Sequence, residues 1–292
     1  MSKINLKDFE YEGQIDDDDY ERELKRLQYE LQIIQAAYMR QGLRGLITLE
    51  GWDASGKGGL IQRMTAETDP RFTKVWSIGA PSKEELAHHF LWRFWTRLPA
   101  DREVAVFDRS WYGRVLVERV DELTPEKVWK RAYDEINAFE QTQLDSGTRL
   151  VKLFLHTTQE EQNKRLRERL EVPYKRWKTG LEDYHNRSNR AGYVVAYGEM
   201  FERCSPKHAP WVVIAANDKK YARIKGLQVI VDALGAGVDL SYPEISPELL
   251  AVAQAALGPL DLDPAENGSG KNGNGKNGNG KNGNAKYGWG RA

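Results

Sequence analysis

The stretch Leu46-Ile47-Thr48-Leu49-Glu50-Gly51-Trp52-Asp53-Ala54-Ser55-Gly56-Lys57-Gly58-Gly59 decides the fold. Its first four residues read as a short buried strand. Gly51 to Lys57 then follow the G-x-x-x-x-G-K pattern of a phosphate-binding loop, the Walker A motif. Glycines at 51, 56 and 58 free the backbone to turn N–H groups, with that of Ser55, into one concavity. Lys57 adds a full positive charge to it. Leu60, Ile61 and Met64 continue at helical spacing, so the loop opens a helix whose N-terminus favours an anion. Strand before and helix after is the context this loop needs.

Gly58 stands where such loops usually carry the Ser or Thr that ligates Mg²⁺. Some other oxygen must then hold the cation, and Asp53 inside the loop is the first candidate. Asp108, which ends the apolar run Val104–Phe107, is the second. One or two carboxylates with phosphate oxygens suit Mg²⁺, or Mn²⁺ in its place. Asp53 is equally suited to act as a general base, and the residues leave the two roles open.

Outward from the loop, the runs 74–78, 104–107, 150–155 and 211–214 are also apolar and separated by helical stretches. Continuous apolar strands alternating with helices predict an α/β fold, a three-layer sandwich around a parallel sheet of about five strands. Before it, Tyr20, Leu24, Leu27, Leu31, Ile34 and Tyr38 recur at intervals of four and three. They form one stripe of a helix packed on the core. In open parallel sheets ligands sit beyond the strands' carboxyl ends. That draws attention to Arg109 and Arg114, which follow Asp108 and can meet charge on a transferring phosphoryl group. It also draws attention to residues 157–210, long, polar and predicted helical. Arg165 and Arg169 share a helix face there, and Lys175 and Lys178 follow Pro173. Mobile clustered cations suit a lid closing on phosphate.

Over 292 residues, 43 basic and 43 acidic side chains cancel to zero. A protein that coats nucleic acid or an anionic membrane carries a basic surplus, so neither is expected as a partner. The balance is uneven along the chain: residues 156–226 hold fifteen basic and nine acidic residues, and 239–266 hold six acids and no base. No apolar run approaches the ~20 residues of a membrane span, and Cys204 stands alone, which excludes an internal disulfide. A cytoplasmic enzyme is expected. The Gly-Lys-Asn repeats from residue 267 are too polar to bury a core and are expected to be a disordered tail on a single domain of residues 1–266. Asn217-Asp218-Lys219-Lys220 is not the Asn-Lys-x-Asp of a guanine site.

Glu50–Gly59, then Phe107-Asp108-Arg109-Ser110-Trp111-Tyr112-Gly113-Arg114, then Lys175-Arg176-Trp177-Lys178, together resemble the polyphosphate kinase 2 family over roughly residues 16–236. The resemblance implies a fold similar to thymidylate kinase, with a P-loop and a helical lid. It implies Mg²⁺-dependent phosphoryl transfer between inorganic polyphosphate and a nucleotide. Lys57 would bind phosphate, Asp53 and Asp108 would place metal or nucleophile, and Arg109 with the lid cations would contact phosphate. Trp52 and the run from Trp111 to Arg119 look most like the monophosphate-accepting group. AMP is therefore the favoured acceptor, ahead of ADP or GDP, and a homo-oligomer (dimer or tetramer) is expected. The alternatives are an ATP-dependent nucleotide kinase of the thymidylate kinase type and a non-catalytic phosphate-binding module.

Overall fold

The computed structural model describes residues 4–10, 13–260 and 262, in two compact units that divide after Ser241. The predicted tail from residue 267 lies outside the described residues. In the first unit the strands are β1 (Arg44–Gly51), β2 (Thr73–Ser77), β3 (Val104–Asp108), β4 (Thr148–His156) and β5 (Trp211–Ala215). The helices are α1 (Asp17–Gln41), α2 (Lys57–Thr65), α3 (Lys83–Leu86), α4 (Trp92–Trp95), α5 (Val117–Val120), α6 (Glu126–Asp145), α7 (Gln159–Glu171), α8 (Leu181–Ser188), α9 (Arg190–Arg203) and α10 (Lys219–Gly235). Short 3-10 turns cover Leu6–Phe9, Trp111–Arg114 and Pro173–Lys178. The second unit contains α11 (Pro247–Leu257), started by Ser246, whose side chain accepts from Leu249 N, with Pro247 in the first turn.

All strand pairs are parallel, in the order β2-β3-β1-β4-β5. The expected five-stranded α/β sandwich is therefore what the chain forms. Alternate residues of the central strands feed two separate cores. Ile47, Leu49, Val106, Val151, Leu153 and Leu155 pack with α1, α2 and α10 on one face. Leu46, Ala105, Phe107, Phe154 and Trp211 pack with α6, α9 and the Trp111 turn on the other. A sheet covered on both faces needs apolar residues at most positions of its central strands, which is why they show little polar alternation.

The stripe on α1 is buried as predicted, at Tyr20, Leu27, Leu31, Ile34 and Tyr38. Asp16 caps the helix start by accepting from Asp19 N at 2.8 Å. Gly42 ends it in the left-handed region at φ 68°, its N–H donating to Tyr38 O. Together these caps satisfy backbone groups that a helix end leaves open.

One core contains an ion pair. Lys152 Nζ on β4 donates to Glu140 Oε2 on α6 at 2.7 Å, with both side chains almost fully buried. Glu140 Oε1 also accepts from Trp111 Nε1 at 3.0 Å and from Tyr112 OH at 2.7 Å. Lys152 Nζ reaches Cys204 O at 2.8 Å. The pair thus fixes the turn that follows Arg109. Replacing Lys152 with Met leaves a buried carboxylate without its counter-charge, and we expect a loss of about 3 kcal/mol or more in urea unfolding. Adding Glu140→Gln should recover part of that loss. A change below ~1 kcal/mol for Lys152→Met would show that the pair does not hold the core.

Candidate active site

Register places the phosphate loop among the right neighbours. Leu49 pairs with Asp108 and Gly51 with Leu155, so β1, β3 and β4 end together. Gly51 has φ 137°, and a Cβ there would lie 2.3 Å from Leu155 O, so only glycine fits. Ala54 turns left-handed at φ 63° and Gly56 at φ 115°, and Lys57 opens α2. Lys57 Nζ folds back onto Gly51 O and Trp52 O at 3.1 and 3.2 Å. The ammonium thus sits over its own loop. Nothing lies within 4 Å of a Cβ built on Gly58. Space therefore does not exclude the usual hydroxyl at that position.

Asp53 and Arg109 meet. Arg109 Nη2 donates to Asp53 Oδ1 at 2.7 Å, and Asn186 Nδ2 of α8 donates to Asp53 Oδ2 at 2.8 Å. Arg109 has a left-handed backbone at φ 63°, a conformation that costs a non-glycine residue energy. The surroundings hold it: Arg109 N donates to Leu49 O at 3.0 Å. Glu50 Oε1 accepts from both Ser110 N and Ser110 Oγ at 2.9 and 2.8 Å. Burial lowers the Arg109 pKa, and the carboxylates of Asp53, Glu50 and Asp108 outweigh it, so the guanidinium ends above its usual range. Burial pushes the Glu50 carboxyl up, opposed by Ser110 and by the charges of Lys57 and Arg109. Neither Glu50 nor Asn186 was legible as a site residue from sequence.

The predicted cations divide. Arg114 donates to Glu118 Oε2 and Thr124 Oγ1, each at 2.9 Å, and stacks on Phe90. Arg165 faces inward rather than toward solvent. It donates to Ala54 O and Ser55 O on one side, to Ala216 O and Asn217 O on the other, and to Glu161. Five donors meet five acceptors, so Arg165 braces the phosphate loop from behind and has no proton left for a phosphate. Arg169 is tied to Lys178 O and Asp183, and Lys175 to Glu168. Lys178 is exposed, its ammonium over the Trp177 ring. The structure therefore groups Asp53, Lys57, Asp108 and Arg109 at the strand ends and leaves the 173–178 cations on a separate turn.

A second brace runs through Trp52. Its Nε1 donates to His156 Nδ1 at 2.9 Å, and the Arg190 guanidinium lies 3.7 Å above its ring. Arg190 donates to Gln162 Oε1, and Gln162 Nε2 donates to Asp53 O. Burial, with the Arg190 charge, drives the His156 pKa down from 6.5 to about 4. A depressed histidine pKa means that the unfolded chain takes up the proton first as pH falls. The stabilisation is complete above 6.5 and lost progressively between 6.5 and about 4. We expect His156→Gln, which keeps an acceptor for Trp52, to flatten the fall in unfolding free energy from pH 7 to pH 5 relative to wild type. Parallel slopes in the two proteins would remove His156 as its source.

A cavity of about 780 Å³ opens beside Asp53, lined by Arg109, Arg114, Phe90, Glu118, Asn186 and Tyr193 among others. Asp108 Oδ1 is buried and has no hydrogen-bond partner. An unpaired carboxylate oxygen beside a loop built for phosphate fits a hard divalent cation. Among the described residues no group of three or more His, Cys, Asp and Glu side chains could form a complete cage. A cation here would depend on phosphate oxygens as well.

A parallel sheet with a phosphate loop after its central strand and a carboxylate ending the adjacent one defines a P-loop kinase-like fold. The chain belongs to the polyphosphate kinase 2 family, whose model matches residues 14–238. It is 48% identical over 187 residues to a polyphosphate:AMP phosphotransferase of Pseudomonas aeruginosa, covering 64% of this chain and 38% of that protein. It is 38% identical to an AMP/ADP-polyphosphate phosphotransferase of Meiothermus ruber, covering 68% of this chain and 74% of that one. The crystal structure of polyphosphate kinase 2 from Arthrobacter aurescens superposes with a TM-score of 0.79 at 32% identity, covering 88% of this chain and 92% of that one. The chain spans less than half the length of the polyphosphate:AMP phosphotransferases it matches.

Proposed function

We propose that the protein transfers a phosphoryl group between inorganic polyphosphate and a nucleotide, with AMP to ADP as the favoured reaction. The observation that carries this reading is the Asp53–Arg109 pair, which joins the phosphate loop to the lining of a cavity of about 780 Å³. The names of the relatives at 42–48% identity support AMP as acceptor.

In this reading Lys57 and the loop N–H groups bind the phosphate chain, and Arg109 meets charge that develops on the group in transfer. Phosphoryl transfer asks little covalent work of the protein, so positioning and electrostatics carry it. Asp53 and Asp108 would hold Mg²⁺ or Mn²⁺, which when bound neutralises phosphate charge. Ser55, Gly56 and Gly58 shape the loop, and the segment 157–210 closes over it as a lid. Lys175 and Lys178 on that lid are proposed to guide the polyanion, at the cost of breaking the Lys175–Glu168 contact. A cytoplasmic homo-oligomer is the proposed working form. No helix among the described residues is long and apolar enough to cross a membrane.

The test is an assay of the purified chain with Mg²⁺, polyphosphate and AMP, ADP, GMP or GDP in turn, the products being resolved by chromatography. ADP formed from AMP is expected. Turnover with ATP as donor and none with polyphosphate would assign an ATP-dependent nucleotide kinase instead. Binding without turnover would assign a sensor module.

A further inference from the structure

We propose that Asn186 is the residue through which α8 positions the Asp53 carboxylate, with Tyr193 fixing the sense of its amide. The inference rests on the phosphotransferase reading above. Asp53 ends in a soft torsion, since rotation of a carboxylate about its sp³–sp² bond is broad and roughly two-fold. The Arg109 contact on Oδ1 alone would leave the second oxygen free to swing. The donor from Asn186 on Oδ2 removes that freedom, so two donors on opposite oxygens set the plane of the group.

The amide itself has two orientations to choose from. Tyr193 OH donates to Asn186 Oδ1 at 3.1 Å. Turning the amide over would set its oxygen against the Asp53 oxygen, acceptor to acceptor. Tyr193 is buried on α9, so the relay ends on a rigid element. Its companions dock α8 on both sides: His185 Nε2 lies 3.0 Å from Asp121 Oδ1, and Arg187 Nε donates to Asn163 Oδ1 at 2.8 Å. The helix that follows the Pro173–Lys178 turn thus aims the carboxylate of the phosphate loop. A group misplaced by about 1 Å at such a centre costs on the order of 10²-fold in rate.

The test compares Asn186→Ala, Asn186→Asp and Tyr193→Phe in the full chain. For Asn186→Ala we expect kcat to fall about 10- to 100-fold with KM for polyphosphate within about threefold. Asn186→Asp is isosteric, yet it should be slower than Asn186→Ala, because it sets a carboxylate against a carboxylate. A residue serving only local structure would tolerate Asp better than Ala. Tyr193→Phe should fall between wild type and Asn186→Ala, and it decides the matter if an Asn186 variant does not fold. Trypsin cleavage after the exposed Arg176 and Lys178 should accelerate in both Asn186 variants, since α8 loses its tie to the loop. Wild-type kcat in Asn186→Ala or Tyr193→Phe, Asn186→Asp faster than Asn186→Ala, or unchanged cleavage overturns the proposal. If the wild-type chain makes no ADP, the phosphotransferase reading fails. The cleavage rates still judge the Asn186 contact on their own.

Discussion

Asp53→Asn is expected to abolish phosphoryl transfer while leaving the fold intact. The side chain keeps its size and loses its charge, and the loss acts in two ways. Arg109, held above its usual pKa range by neighbouring carboxylates, loses the first of them. Asp53 also sits between two donors, Arg109 Nη2 and Asn186 Nδ2. An asparagine accepts from one and turns its own NH₂ against the other. Removing an electrostatic group from such a centre costs on the order of 10³-fold in rate. Stability should fall only modestly: the Asp53 side chain is 9% exposed but its partner Arg109 is 43% exposed, and a pair with one solvated member contributes about 1 kcal/mol. Single-turnover formation of ADP from AMP, read beside a melting curve, separates the two effects. The swap Asp53→Asn with Asn186→Asp restores one donor for each acceptor and moves the charge to α8. If turnover stays lost in the swap, charge at position 53 is what the reaction needs. A rate within tenfold of wild type for Asp53→Asn alone would take Asp53 out of its proposed role.

The legible part of this site is the part encoded locally. The strand, loop and helix around Gly51–Lys57 lie in one continuous segment, and the glycine positions carry the backbone geometry directly. Asp108 and Arg109 were found because the end of a buried strand is a defined place in a parallel sheet. Arg165 shows where local reasoning stops. Helical spacing correctly put Arg165 and Arg169 on one face, but it cannot say what that face meets. Midway along α7 the face lies against the phosphate loop, so Arg165 is buried. One turn later the helix has moved outward, and Leu170 is half exposed. Asn186 and Glu50 were missed for related reasons. Asn186 is 133 residues from Asp53 in sequence, and nothing in its neighbourhood marks it. Glu50 sits in the quoted motif, but a single acid at a strand end has no spacing signature. Its role depends on Ser110, sixty residues away. The Lys152–Glu140 pair was equally hidden, since the run 150–155 reads as an apolar strand and nothing local to Lys152 points to its counter-charge on α6.

Lys57→Ala is expected to lower turnover by about 10³-fold, the scale of losing one preorganised charge at a phosphoryl centre. The structure adds what the motif alone does not. Lys57 is only 8% exposed, and its ammonium is held by the carbonyls of Gly51 and Trp52. The charge is therefore held in place at the loop by the protein itself, and a preorganised charge needs little reorganisation during the reaction. Alanine removes that charge and leaves two carbonyls facing the concavity, which turns a site for anions into one that repels them. Polyphosphate affinity should thus fall together with kcat, unlike the Asn186 variants, where kcat falls alone. Lys57→Arg tests whether charge suffices. A planar guanidinium is larger than the space between Gly51 O and Trp52 O was built for, and it fixes its donors in a fork rather than at a point. It should recover polyphosphate binding, measured by calorimetry, and recover little of the rate. Full recovery of rate by arginine would mean that net positive charge at the loop, and not a compact ammonium at that point, drives the transfer. Near-normal turnover in Lys57→Ala would exclude the residue from phosphate binding altogether.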